Sequence, residues 1–171
     1  VENVWYFGNL SRSAWLDSDL RDFPIAATFN NRLVNHETGV DDKETGVATA
    51  FTASITSTQF DLDDGDRFML VNKMLPDVTF EGSTAASPAA VLTLNPLENS
   101  GSGRYDPASV GGNSNATVTR TATAPIEEFT GQVFTRLRGR QMSFKVESTA
   151  AGVTWKLGAT RVDMRPDGRR G

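Results

Sequence analysis

The sequence predicts an all-β protein: an antiparallel sandwich or barrel-like domain with long polar loops and at most a short helix. Three observations carry this expectation. Short runs of Val, Thr, Phe and Ile are bounded by clusters of Gly, Pro, Asn and Asp, which is the punctuation of strands and their turns. Apolar residues at the 3.6-residue period of a helix are nearly absent. The runs are also numerous and short, as in sandwiches and barrels.

The elements follow in chain order. Residues 11–22 form the best helical candidate, with Ser11 or Ser13 as a cap, Leu16 and Leu20 on one side, and Pro24 as the stop. Residues 48–60 are rich in threonine and β-branched side chains. There Phe51, Ala53 and Ile55 share one parity, while Thr52, Ser54 and Thr56 take the other. Residues 67–73, 78–81, 90–94, 117–123, 132–137, 141–148, 153–157 and 161–165 read as further strands. The tract Asp63-Asp64-Gly65-Asp66 supplies the positive-φ residue of a tight hairpin, and Ala151-Gly152 reads as a second hairpin turn. Residues 95–115, rich in Pro, Ser, Gly and Asn, are expected to be an exposed loop. Met142, Phe144 and Val146 look like a core face, and Trp155 like a core anchor. No repeat of fixed period is visible, so the 171 residues read as a single β-rich domain.

Composition excludes much chemistry. Without cysteine there is no disulfide framework, thiolate zinc site or cysteine nucleophile. A single histidine, His36, rules out a multi-histidine metal centre within one chain. No apolar run approaches the roughly 18 residues that cross a bilayer as a helix. The opening Val1-Glu2-Asn3-Val4-Trp5 lacks the basic and apolar segments of a signal peptide and does not start with methionine. A processed product, or a fragment of a longer chain, is the expectation. The net charge of −4 is unevenly spread: residues 1–119 carry 16 acids and 7 bases, residues 120–171 carry 5 acids and 10 bases. Such a split marks an interaction surface at the basic end, or two halves that neutralise each other within the chain or between subunits.

Most local motifs are weak. Counted from Asp61, the acidic tract has glycine at position 5 and Asn72 at position 12, which fails the calcium-loop pattern. His36, with Glu37, Asp41 and Asp42 nearby, could bind a metal or act as a base, but no nucleophile motif accompanies it and a structural role is favoured. There is no G-x-S-x-G elbow and no Walker loop. Glu127 and Glu128 are adjacent, so in a strand they point to opposite faces. The expectation is a protein that is not an enzyme and uses no cofactor or metal. The basic end is more specific. Arg136, Arg138 and Arg140 recur every second residue, which in a strand places them on one face about 7 Å apart. A row of this kind can simply be a solvated strand face, which is favoured; next come pairing with carboxylates of a neighbouring subunit and, last, tracking phosphates. Arg169 and Arg170 follow the turn at Pro166-Asp167-Gly168 and suit docking.

Several stretches together resemble one family. They are Val4-Trp5-Tyr6-Phe7-Gly8, Ser11-Arg12-Ser13-Ala14-Trp15, and the segment from Phe60-Asp61-Leu62-Asp63-Asp64-Gly65-Asp66 through Pro76-Asp77-Val78-Thr79-Phe80-Glu81-Gly82-Ser83-Thr84. Arg138-Gly139-Arg140-Gln141-Met142-Ser143-Phe144-Lys145-Val146-Glu147-Ser148, Trp155-Lys156-Leu157-Gly158 and Arg161-Val162-Asp163-Met164-Arg165-Pro166-Asp167-Gly168-Arg169-Arg170 complete the set. The chain is similar to the carboxyl-terminal portion of the tail nozzle, or tail tubular protein B, of short-tailed double-stranded DNA phages. The resemblance implies a β-rich virion component of the tail, often with a propeller. It would assemble as a homo-oligomer, a sixfold ring, beside other tail proteins such as the adaptor. Double-stranded DNA would pass through it without sequence recognition, and this chain would insert into no membrane. The resemblance brings no catalytic residue. On this reading Arg136, Arg138, Arg140, Arg169 and Arg170 are subunit or lumen contacts. The chief alternative is a capsid decoration or receptor- or glycan-binding β-sandwich, with residues 95–115 as the contact arm. A third reading is a glycan-active enzyme whose carboxylate pair carries no sequence mark.

Overall fold

The structure, a computed structural model, describes residues 10–97 and 121–168. Among these residues the chain forms fifteen strands and one 3-10 turn, and every strand pairing is antiparallel. The strands are β1 (Ala14–Leu16), β2 (Ile25–Ala27), β3 (Leu33–Asn35), β4 (Asp41–Asp42), β5 (Thr49–Ala50), β6 (Ala53–Thr56), β7 (Phe60–Asp61) and β8 (Met69–Leu75). They continue as β9 (Val78–Thr79), β10 (Ala89–Leu97), β11 (Ala122–Glu127), β12 (Val133–Gly139), β13 (Gln141–Ser148), β14 (Lys156–Leu157) and β15 (Arg161–Pro166).

Two sheets supply the core. One runs β11-β10-β13-β6, with β7 also on β13, and the other runs β12-β8-β15; neither closes into a barrel. Alternation decides which side chains turn inward. In β10 the buried positions are Ala90, Leu92, Leu94, Pro96 and Leu97, and in β13 they are Met142, Val146 and Ser148. Register places Leu92 beside both Ala124 and Val146, so the inner face is continuous across three strands. The second sheet contributes Met69, Val71, Met74, Val133 and Leu137 to the same cluster. Each such large side chain, wholly removed from water, contributes on the order of 1.5–3 kcal/mol. The expected core face Met142, Phe144 and Val146 therefore holds, with Phe144 partly buried against it. The chain crosses between the sheets at Gly139-Arg140. A Cβ on Gly139 would lie 3.0 Å from both Pro96 Cβ and the Gln141 carbonyl oxygen, so a side chain fits the crossover only if these neighbours shift by a few tenths of an ångström.

Several expectations are corrected. Residues 11–22 hold no helix; the same stretch gives β1, which pairs with β2. The tract at residues 63–66 is not a hairpin tip. It forms a 3-10 turn between β7, which pairs with β13, and β8, which belongs to the other sheet. Its positive φ lies at Asp63, Asp64 and Gly65. Ala151-Gly152 is a turn, with Gly152 at φ +75°, but β13 and β14 join different partners, so it is no hairpin. Residues 95–97 are not loop but the end of β10, with Pro96 and Leu97 buried. Residues 98–115 of the expected loop, and residues 117–120 of the expected strand, lie outside the described residues. Within residues 48–60 the strand is broken into β5, β6 and β7, and all of β6 is exposed. Among the described residues no helix is long and apolar enough to cross a membrane.

Candidate functional site: two complementary sheet faces

The outer face of β12-β8-β15 gathers the arginine row. Along β12, Val133, Leu137 and Gly139 are buried while Phe134, Arg136 and Arg138 are exposed, as the alternation predicts. A bulge between Phe134 and Leu137 sets Thr135 and Arg136 opposite a single residue of β8. Cross-strand register then adds residues from distant parts of the chain. Arg138, Leu70 and Arg165 form one row; Phe134, Lys73 and Asp163 form the next; Leu75 pairs with Arg161 beyond them. The result is a face with Leu70, Leu75 and Phe134 along it and five cations set among them. Phe134 is 73% exposed.

The three arginines of the row do not share one role. Arg138 Nε lies 2.6 Å from Asp167 Oδ2 and its Nη2 donates to the Asp167 carbonyl at 3.0 Å. Its guanidinium also covers the Phe68 ring, 4.0 Å from the centroid. Arg140 lies past the end of β12 at the crossover, 4.6 Å over the same ring. It donates to the carbonyls of Gly65 and Asp66 at 3.2 and 3.0 Å, tying the 3-10 turn to the crossover. Arg138 and Arg140 are thus engaged within the chain. Arg136 is exposed, with no ion pair or hydrogen bond to the other described residues. Arg169 and Arg170 lie outside the described residues.

The second face belongs to β1-β2-β3. Register puts Trp15, Ala26 and Val34 on one side, with Ala26 buried, and Ala14, Ala27 and Leu33 together with Leu16 and Ile25 on the other. A sheet with apolar side chains on both faces reads as one covered on both faces. Here neither is fully covered: Leu33 is 78% exposed and Leu16 56% on one side, and Trp15 is 59% exposed on the other. The turn after β1 adds Leu20, 95% exposed, among the exposed carboxylates Asp17, Asp19 and Asp22. The core cluster includes none of these residues.

His36 helps to fasten that sheet to the chain beyond it. Its ring lies 4.2 Å from that of Trp15, and its Nε2 accepts a hydrogen bond from Arg12 Nε at 3.0 Å. Arg12 also pairs with Glu44 at 3.4 Å, Asn30 donates to Glu44 at 3.0 Å, and Arg32 donates to the Glu44 carbonyl. An open cleft of about 600 Å³ lies alongside, lined by Arg12, Arg32, His36, Asp42, Glu44 and Phe51 among others. The imidazole lone pair is occupied by a guanidinium, which suits neither a base nor a metal ligand. Among the described residues no group of three or more His, Asp or Glu is placed to hold a metal ion.

Burial, then the Arg12 charge, holds the His36 pKa below its ordinary 6.5, against opposing pulls from Asp42 and Glu37. A lowered histidine pKa means that the unfolded chain binds the proton first. Stability is therefore lost as pH falls through 6.5 toward the folded value. Glu44 acts in the same direction at lower pH. Hydrogen bonds from Asn30 and Thr28 lower its pKa from 4.5, so its contribution is lost only in more acid solution. The opening free energy of β1–β3, from amide exchange corrected for its intrinsic pH dependence, should fall between pH 7 and 5 while that of β10 and β13 holds. A flat profile over that interval would remove His36 from the fastening.

No protein-family model matches the chain, and no curated protein matches its sequence. Sequence reasoning missed the apolar face of Leu16 and Leu33, whose strands are only three residues long and show no alternation. It also missed the union of Lys73, Arg161 and Arg165 with the arginine row, which only strand register reveals.

Proposed function

We propose that this chain is a non-enzymatic structural component of a phage virion, a β-rich piece of the tail nozzle or hub. It works as a symmetric oligomer around the conduit through which double-stranded DNA leaves. The observation that carries the assembly part is the open apolar face of β1-β2-β3. Leu16 and Leu33 stand in water on that face in the single chain, with Leu20 exposed on the turn after β1, and apolar side chains gathered at a surface mark interaction sites. The phage part rests on the family resemblance of the stretches around Phe60, Arg138, Trp155 and Arg161. An acidic excess over the whole chain suits a conduit wall, because dense cationic contact with phosphates would hold the DNA back.

Imaging the intact particle and locating the chain tests this reading. A ring on the tail axis below the portal is the expected result. A position on the capsid shell or at fibre tips would overturn it in favour of a decoration or receptor-binding module.

A further inference from the structure

We propose that the outer face of β12-β8-β15 is the docking site for β1-β2-β3 of a second copy of this chain. The inference rests on the assembly reading above and deepens it by naming the two surfaces that meet.

Three features point to this partner. First, the basic face has the anatomy of a protein interface rather than of a phosphate track. Leu70, Leu75 and Phe134 give it apolar ground, and Arg136, Arg161 and Arg165 are exposed around them. Asp163 lies in the Phe134–Lys73 row, where a phosphate chain would meet repulsion. A single-strand reader would also present a series of aromatics for stacking, and the exposed aromatic of this face is Phe134 alone. Second, the complementary surface is present on the same polypeptide. The open side of the first sheet offers Leu16 and Leu33, and the turn beside it offers Leu20 with three exposed carboxylates, Asp17, Asp19 and Asp22, against one cation, Arg21. Apolar residues can meet apolar residues while arginines take carboxylates at the rim, where Arg forms paired, directional hydrogen bonds. Third, the asymmetry of charge along the chain follows the same division. Residues 1–119 are acidic in balance and residues 120–171 basic. Two different surfaces pairing between copies make a head-to-tail contact, which closes into a ring or extends as a filament.

Exposed charges can be reversed without disturbing the core, so the test uses the full chain in two variants. One carries Arg136→Glu and Arg165→Glu; the other carries Asp17→Lys and Asp19→Lys. Association is measured by sedimentation over a range of concentrations, with circular dichroism to verify the fold. Each variant alone should associate at least about tenfold more weakly than the wild type, since like charges would face each other. An equimolar mixture should recover association. Alternating copies then meet through one reversed contact, Glu against Lys, and one native contact, Arg against Asp.

Failure to recover on mixing would overturn the pairing of these two faces. Wild-type association by both single variants would overturn it too, while leaving the assembly reading in place. A wild-type chain that stays monomeric at every concentration would overturn both. If Arg136→Glu with Arg165→Glu abolished binding to duplex DNA but left association intact, the basic face would meet a polyanion and the pairing would be wrong.

Discussion

Gly152→Val should leave the chain unfolded, or nearly so, at 37 °C. Gly152 sits at φ +75°, where a β-branched side chain is strained. It is also held on every side. Its carbonyl accepts from the amides of Thr84 at 2.8 Å and Ala85 at 3.0 Å, and its own amide donates to Asp41 Oδ1 at 2.7 Å. A Cβ there would lie 2.8 Å from Thr84 Oγ1 and 2.9 Å from the Ala85 nitrogen, and the latter is backbone that cannot swing aside. The left-handed conformation alone costs about 1–3 kcal/mol. Relieving the clash breaks hydrogen bonds worth about 1 kcal/mol each, more where a buried group is left unpaired. Together these reach a large part of the 5–15 kcal/mol that stabilises an ordinary domain. Urea denaturation of Gly152→Ala, the milder change, should show a loss above about 2 kcal/mol. Gly46→Ala is the control: φ is +85° there, yet nothing lies within 4 Å of the added carbon. If the two alanine variants lost equal stability, close packing at Gly152 would contribute nothing.

The strands that build the core were legible because each is long enough to show its period. β13 runs over the residues that alternation marks, and β8, β10, β12 and β15 lie within a few residues of expectation. The errors have physical causes. In residues 11–22 the spacing of Leu16 and Leu20 suits a helix, but a strand of three residues has no visible period, and pairing with β2 decided the outcome. Asn95-Pro96 looked like the start of a loop because proline cannot donate to a ladder. Yet among the described residues β10 continues to Leu97, with Pro96 set opposite Met142 of β13 and buried.

The candidate site was half legible. Parity exposed Phe134, Arg136 and Arg138 together, and that held even through the bulge. Parity also assigned Arg140 to the row, but the strand ends at Gly139 and the guanidinium turns to the carbonyls of Gly65 and Asp66. Lys73, Arg161 and Arg165 carry no local mark at all. Their place beside Arg138 is a property of register, which depends on how whole strands bury their inner faces.

Trp155→Ala should cost about 3 kcal/mol and lower the Tm by many degrees. The indole packs against the core cluster, and its Nε1 donates to Ser148 Oγ at 2.9 Å; Ser148 is 4% exposed. Truncation therefore opens a cavity and leaves a buried hydroxyl without its partner. Trp155→Phe separates the two effects. It keeps most of the ring and loses the N–H, so about 1 kcal/mol should be lost. Ser148→Ala added to Trp155→Phe should then be nearly neutral, since both ends of the bond are gone. The same residue leads the chain toward β14 and β15, and β15 carries Arg161 and Arg165 on the basic face. If copies associate through that face, mass action should return part of the lost Tm as protein concentration rises. A Trp155→Ala chain that melts with the wild type would show that the indole is no anchor. One that is destabilised, but whose Tm ignores concentration while the wild type associates, would show that β15 takes no part in the contact.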